Sequence, residues 1–308
     1  MIYVIVLNWN SADDTISCLE SLKLLNGRLP KIVVCDNGSR DNSWERLKNY
    51  VLSQDFLEIE LIHNEDNLGY AGGNNVGLRI ALADPKMEYV WILNNDTKVD
   101  PCSLEALLTY MLKHSDVGIC GSTLLYMDNP GLIQAVGGQY NSWLGTSSHI
   151  LGHQIYSEDL CNDINASQID YVVGASLFIR RTVLDCVGLM NEDYFLYCEE
   201  IDWAIRMKRL MPRLKLGYAA KSLVYHKEGG STGANDLYFK TYSYFSDFFF
   251  IVSRMKFARK FYPLRSFFVQ MTMVLVAINR LRRRQWLSAA VAFFAFIGYV
   301  PKMLDPRK

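Results

Sequence analysis

Residues 89–101 read YVWILNNDTKVDP. The first half suits a strand buried on both faces, and Asn94, Asn95 and Asp96 place polar groups at its carboxyl end. Asp100 followed by Pro101 is the composition of a helix start, with Asp100 as N-cap and Pro101 in the first turn. The same unit occurs three times upstream. IYVIVL (2–7) is followed by turn and cap residues from Asn8 to Asp13 and a helical pattern over 13–25, KIVVCDNGS (31–39) by a helix near 41–52, and LEIELIHN (57–64) by a helix near 73–83. The helix after 89–96 is expected over 101–113. Strands alternating with helices predict an α/β fold with a parallel, layered sheet whose ligand lies at the carboxyl ends of the strands.

Further along, a fifth strand is predicted near 117–121, while the Gly- and Asn-rich stretch 128–166 yields no assigned element. YVVGASLFIR (171–180) is strand-like, EEIDWAIRMKRL (199–210) has helical spacing, and 214–226 supplies one or two strands. From Phe245 the composition turns aromatic, aliphatic and basic, which divides the chain into a body, 1–244, and an extension, 245–308. The 308 residues suffice for one large α/β domain with an appendage. The 32 basic and 32 acidic side chains cancel, which argues against a nucleic-acid binder. The average hides an asymmetry: residues 245–308 hold 12 Lys and Arg against Asp247 and Asp305, leaving 20 basic and 30 acidic groups before them. An anionic partner for the extension follows. Seven scattered cysteines without CxxC spacing read as reduced thiols of a cytosolic chain. The start MIYVIVLN has neither a basic leader nor a small-residue cleavage site, so no secretory signal is expected.

Polar clusters at the strand ends carry the candidate chemistry. Asn8 and Asn10 face Asp36, Asn37, Gly38 and Ser39 at the ends of neighbouring strands, where a carboxylate can accept from a base NH or a ribose hydroxyl; a helix cap is the structural alternative. NLGYAGGNN (67–75) puts glycines and amides at a helix start, suited to a ribose or phosphate, or to a plain strand-to-helix turn. Asn94 and Asp96, two residues apart, suit a hard divalent ion bridging a diphosphate, against the alternative of a solvated turn. Glu199, Glu200 and Asp202 crowd a helix start, where they complement the helix dipole and also raise one another's pKa, as a general base requires. His226 stands at a strand end before a loop read as flexible, and a lone His there is structural unless it meets a metal.

Together VIVLNWN (4–10), VVCDNGSRDNS (33–43), NLGYAGGNNVGL (67–78), ILNNDTKVDP (92–101), VVGASLFIRR (172–181), GLMNEDYFLYCEEIDWAIR (188–206) and VYHKEGGS (224–231) resemble, in order and spacing, the family-2 inverting glycosyltransferases of the GT-A fold. The branch they are most similar to is rhamnosyltransferase-like and galactofuranosyltransferase-like, and the resemblance covers roughly residues 1–235. It implies a Rossmann-like, mixed but mostly parallel sheet flanked by helices. It also implies that Asn8 and Asp36 contact the nucleotide, with Asn10, Asn37 and Gly38 in the same loops, and that Gly73, Asn74 and Asn95 lie along the donor. Asn94 and Asp96 occupy the positions of the family's Asp-x-Asp metal motif, and His226 matches a His that in some members completes the site. Glu200 falls where the catalytic base is carried, with Asp202 and Arg206 in support and Glu199 as the second candidate. Two departures stand out: Asn94 replaces an Asp, and Glu200 stands where Asp is usual. A non-catalytic, nucleotide-binding partner protein is the rival these departures allow.

The implied cofactor is Mg²⁺ or Mn²⁺, and the implied co-substrate a dTDP- or UDP-sugar, with rhamnose the first choice. The acceptor would be a glycan or lipid-linked saccharide in cell-surface polysaccharide synthesis such as that of O-antigen; homo-oligomerisation is left open. In the extension, FFVQMTMVLVAI (267–278) and LSAAVAFFAFIGYV (287–300) are apolar runs of 12 and 14 residues, shorter than the roughly 20 that span a bilayer. With Arg and Lys clusters beside them, residues 245–304 are expected to lie on the anionic cytoplasmic face of the inner membrane as a peripheral or monotopic anchor. Packing of both runs on the body or on a partner, and a tilted hairpin, are the alternatives.

Overall fold

A computed structural model describes residues 1–27, 29–227 and 243–307. The loop after His226 that the sequence marks as flexible, 228–242, lies outside the described residues. The chain opens with three β-α units: β1 (Ile2–Asn8), α1 (Ala12–Leu22), β2 (Lys31–Asn37), α2 (Ser43–Ser53), β3 (Ile59–Asn64) and α3 (Gly69–Ala83). Then come β4 (Tyr89–Asn94), the short β5 (Thr97–Val99), α4 (Ser103–Lys113) and β6 (Val117–Tyr126). The stretch left unassigned holds β7 (Asn129–Ala135), a hairpin of β8 (Gly138–Asn141) and β9 (Thr146–His149), and α5 (Glu158–Asn162). The rest is β10 (Ser176–Arg180), α6 (Arg181–Val187), α7 (Glu199–Leu210), β11 (Lys215–His226), and the helices α8 (Tyr244–Phe261), α9 (Pro263–Arg282) and α10 (Trp286–Phe296).

Among the described residues nine strands form one sheet, in the order β3-β2-β1-β4-β10-β6-β11-β5 with β7 on β6. The first four strands are mutually parallel, as is the pair β6 and β11. Strand β10 runs antiparallel between β4 and β6, and β5 runs antiparallel to β11. The sheet is thus mixed and mostly parallel, as expected. Apolar side chains on its two faces form separate cores, Ile5, Ile92 and Trp203 lying in one and Val4, Trp91 and Phe178 in the other.

Several local expectations shift. Helix α3 begins at Gly69, a turn earlier than its run of glycines suggested. Helix α4 begins at Ser103, so Pro101 does not open it; Asp100 Oδ1 instead accepts from Cys102 N at 2.9 Å in a turn before the helix. Residues 214–226 make one strand, with an irregularity in register between Ala219 and Leu223.

The extension is a continuation of the body. Phe257 and Phe261 of α8 belong to the main core, while Phe249, Met273 and Val291 draw α8, α9 and α10 into a third cluster. A buried ion pair, Arg280 Nε to Asp247 Oδ2 at 2.7 Å, ties α9 to α8. Helix α9 takes in the basic flanks of the first apolar run, and its 20 residues are long and apolar enough to cross a membrane by length and composition. Length alone therefore does not exclude a span, contrary to the reading of the run by itself.

Candidate active site

The carboxyl ends of β2, β1 and β4 are joined by a chain of buried hydrogen bonds. Asp36 Oδ1 accepts from Asn8 Nδ2 at 2.7 Å and from Ser39 Oγ at 2.5 Å, and Asn8 Oδ1 accepts from Thr15 Oγ1 at 2.8 Å. Asn95 Nδ2 donates to the same Thr15 oxygen at 3.1 Å. Asp36 Oδ2 meets His63 Nδ1 at 2.9 Å, and the His63 ring packs on Trp44, with centroids 4.7 Å apart. Such a network fixes the loops before any ligand arrives. It also separates the predicted residues by role. Only the exposed Asn10 edges the loop pair, whereas Asn8, Asp36 and Asn95 are buried within the network. Asn37 is spent as a latch: its amide donates to Asn67 Oδ1 and Gly69 O and accepts from Leu68 N.

Glycines in these loops answer to space. Gly38, at φ +67°, leaves no room for a Cβ, which would lie 2.5 Å from the Asp66 carbonyl carbon. At Gly73 a Cβ would lie 2.4 Å from Leu7 Cδ1 and 3.0 Å from Asn37 Cγ, so the residue lets α3 close onto the sheet. Asn74 is fully buried; its Nδ2 donates to Tyr70 O, and its Oδ1 has no hydrogen-bond partner.

The expected metal positions converge although they are far apart in sequence, because β5 pairs with the end of β11 and sets His226 opposite Thr97. His226 Nε2 lies 3.1 Å from Asp96 Oδ1 and 3.3 Å from Asn94 Nδ2, and Nδ1 lies 2.8 Å from Gln134 Oε1. With its proton on Nδ1 toward Gln134, the imidazole turns a lone pair toward a carboxylate, and two such acceptors at this distance need a cation or a proton between them. The buried Asn94 Oδ1 lacks a hydrogen-bond partner. With the Asn94 amide turned over, so that Oδ1 takes the place of Nδ2 beside Nε2, one imidazole nitrogen, one carboxylate and one amide oxygen would fit a divalent cation. Among the described residues no cluster of three or more His, Cys, Asp or Glu could hold a metal; the third candidate donor here, Asn94, is an amide.

The other group of candidate residues lies at the N-terminus of α7. Residues Tyr197 and Cys198, leading into it, have φ +70° and +73°, left-handed values that cost a non-glycine residue about 1–2 kcal/mol each. Glu199 is buried with Oε2 unpaired. Burial first, then the charge of Glu200, pushes its pKa well above the carboxylate range. Glu200 stays partly exposed at the mouth, yet the surrounding protein desolvates it and pushes its pKa up to about 7. Asp202 is different: fully buried, it meets Arg206 and Lys260, and Tyr194 OH at 3.2 Å. These contacts brace the first turn of α7.

Tyr70 joins the two sides. It donates to Gly174 O at 2.7 Å, and burial, followed by the negative charges of Glu199, Glu200 and Asp96, holds its pKa far above the ordinary value. Its backbone N donates to Phe195 O at 2.8 Å, which ties α3 to the segment before Glu199. Tyr70 was visible within NLGYAGGNN but gave no sign of its part, and Gln134 and Lys260 could not be found from local pattern at all.

The sequence profile described as "Glycosyl transferase family 2" matches residues 3–188. The "Low-salt glycan biosynthesis hexosyltransferase Agl10" of Haloferax volcanii is 26% identical over 209 residues, covering 67% of this chain. The chain spans only 61% of that relative's length. The "N-acetylglucosaminyl-diphospho-decaprenol L-rhamnosyltransferase" of Mycobacterium tuberculosis is 26% identical over 237 residues, 70% of this chain and 72% of its own. Among solved structures, the S. aureus TarS fragment 1–349 superposes with a TM-score of 0.51 at 15% identity, covering 99% of this chain and 82% of its own. The mannosyltransferase PcManGT of Pyrobaculum calidifontis, in complex with GDP-Man and Mn²⁺, gives 0.54 at 13% identity, with 96% and 86% covered. At such identities these two likenesses bear on the fold alone, which is that of the GT-A glycosyltransferases.

Proposed function

The chain belongs to glycosyl transferase family 2, whose members use nucleotide-sugar donors, and from that premise we propose that it is an inverting hexosyltransferase. In this reading a dTDP- or UDP-sugar, rhamnose first among the candidates, gives its sugar to a hydroxyl of a lipid-linked saccharide during cell-surface polysaccharide synthesis. The observation that carries the proposal is the tie Tyr70 makes between the segment before Glu199 and Glu200 and the end of β4: its backbone N donates to Phe195 O at 2.8 Å and its hydroxyl to Gly174 O at 2.7 Å, next to Ala175, whose carbonyl accepts from Asn94 N at 3.1 Å.

Glu200 takes the proton of the acceptor hydroxyl, since a carboxylate with a pKa near neutrality is matched to that task. The acceptor oxygen bonds to the anomeric carbon as the bond from that carbon to the diphosphate oxygen breaks, and the electron pair leaves with the nucleoside diphosphate. Asp96, His226 and Asn94 Oδ1 would hold Mg²⁺ or Mn²⁺, which when bound neutralises charge on the diphosphate. Asp36 and Asn8, fixed by their mutual hydrogen bond, hold the nucleoside end. Release of nucleoside diphosphate from a panel of nucleotide sugars, with and without a lipid-linked saccharide, tests the reading. No release from any donor would sink it.

The outer face of the extension supports a place on the cytoplasmic leaflet. Along α9, Leu264, Phe267, Met271, Leu275 and Ile278 are exposed in one stripe, and Trp286, Leu287 and Phe293 continue it on α10. Exposed Arg282, Arg283 and Arg284 lie between the helices, as suits anionic headgroups. Because the opposite side of α9 is bound to α8 by the buried Arg280 to Asp247 pair, the stripe is better matched to lying in the interface than to crossing it.

A further inference from the structure

Tyr197 and Cys198 hold an unfavourable backbone immediately before the two glutamates, and neither is a residue that adopts it readily. The Cys198 side chain makes no cap to α7 either. Tyr70 N donates to Phe195 O at 2.8 Å from the side of α3, and a second set of restraints comes from α8. Lys256 Nζ donates to Asp193 O at 2.8 Å, Ser253 Oγ donates to Leu196 O at 2.8 Å, and Ser246 Oγ pairs with the Tyr197 hydroxyl. Phe249 stacks on Phe195 with centroids 4.4 Å apart. Positions 246, 249, 253, 256 and 260 follow helical spacing, so one stripe of α8 lies along 193–198. At its end Lys260 pairs with Asp202, one turn into α7. A second contact reaches across the site: Phe245, in the first turn of α8, stacks on Trp9 of the loop after β1, with centroids 5.7 Å apart.

We propose that this stripe of α8 is a positioning device for catalysis, with Ser253 and Lys260 as its principal positioning residues: it holds 193–198, with left-handed Tyr197 and Cys198 at the end, on the path that aims Glu199 and Glu200 into the site. The extension then has a part in the reaction that is independent of where the protein resides. Side chains of α8 need touch neither donor nor acceptor; they act through the backbone of the segment and the first turn of α7. The inference rests on the glycosyltransferase reading for its kinetic consequence and on the geometry alone for its effect on the segment.

The test compares full-length wild type with Ser253→Ala, Lys260→Met and Lys260→Arg, all distant from the Trp9 contact. Amide hydrogen exchange of residues 194–202 is measured beside steady-state kinetics with a detergent-solubilised acceptor. Ser253→Ala and Lys260→Met are expected to speed exchange there and to lower kcat by about tenfold, equivalent to about 1.4 kcal/mol, while donor KM stays within about twofold and the melting temperature is held. Lys260→Arg should restore both readouts. Unchanged exchange in both disrupted variants, or faster exchange with undiminished kcat, overturns the proposal, as does a rise in donor KM equal to the fall in kcat. If wild type turns over no nucleotide sugar, the proposed function fails, and the exchange measurement still decides whether α8 holds the segment.

Discussion

At the scale of the residue, the two sides of the site should respond differently to substitution. Glu200→Gln keeps the shape but cannot accept a proton, so kcat is expected to fall by about 100-fold or more with donor KM within about twofold. A variant retaining a tenth of the wild-type rate would move the role to Glu199. Since the pKa of Glu200 is raised to about 7, the ionised base is lost as pH falls through that value, and kcat/KM should drop about tenfold per unit below it. A pH profile flat from 5.5 to 8 would contradict this. On the other side, Asp96→Ala and His226→Ala should abolish activity or demand far more Mn²⁺, whereas Asn94→Asp adds the missing negative charge and should lower the half-saturating metal concentration by about tenfold. Titration of activity with metal after chelation reads both, and undiminished activity of wild type in chelator would end the metal assignment.

Elements show what the sequence reveals and why it falls silent. Strands β1, β2 and β4 are legible because burial on both faces leaves unbroken apolar runs, and polar residues mark their ends. The sequence pattern places the start of α3 a turn late because Gly69, Gly72 and Gly73 have poor helix propensity; tertiary contact overrides it. Gly69 is the clearest case: at φ +74° it faces the Phe195 carbonyl, and an added Cβ would lie 2.3 Å from that oxygen. Gly69→Ala should therefore destabilise the protein by roughly 1–3 kcal/mol, read as a lower midpoint in urea, and an unchanged midpoint would contradict the packing. Strands β8 and β9 were missed because each is only four residues long and largely polar. Of the candidate site, Glu199, Glu200, Asp96 and His226 were all named from sequence. Gln134 was not, because it meets His226 across 92 residues of chain, and no local pattern records a partner so distant.

For the whole molecule, the exposed apolar stripe predicts binding to vesicles. Full-length protein should float with vesicles containing anionic lipid at low salt, and Phe267→Glu with Leu275→Glu should lose at least about tenfold in partition, since each trades buried apolar area for a repelled charge. Equal flotation of the double variant and wild type would refute the interface, and the exposure of both residues means that their melting temperature should hardly change. The place of β10 in the sheet has a consequence for how the protein is made. This strand is the seam between β4 and β6, so the two halves of the sheet have no shared strand until Arg180 has left the ribosome. Strand β5 waits longer still, for β11, and with it Asp96 waits for His226, 130 residues later. At 5–20 residues per second that interval is roughly 6–26 s of synthesis. The nascent chain therefore carries a formed but open-edged β3-β2-β1-β4 layer for many seconds, a state in which chaperones have their opportunity and the catalytic centre does not yet exist.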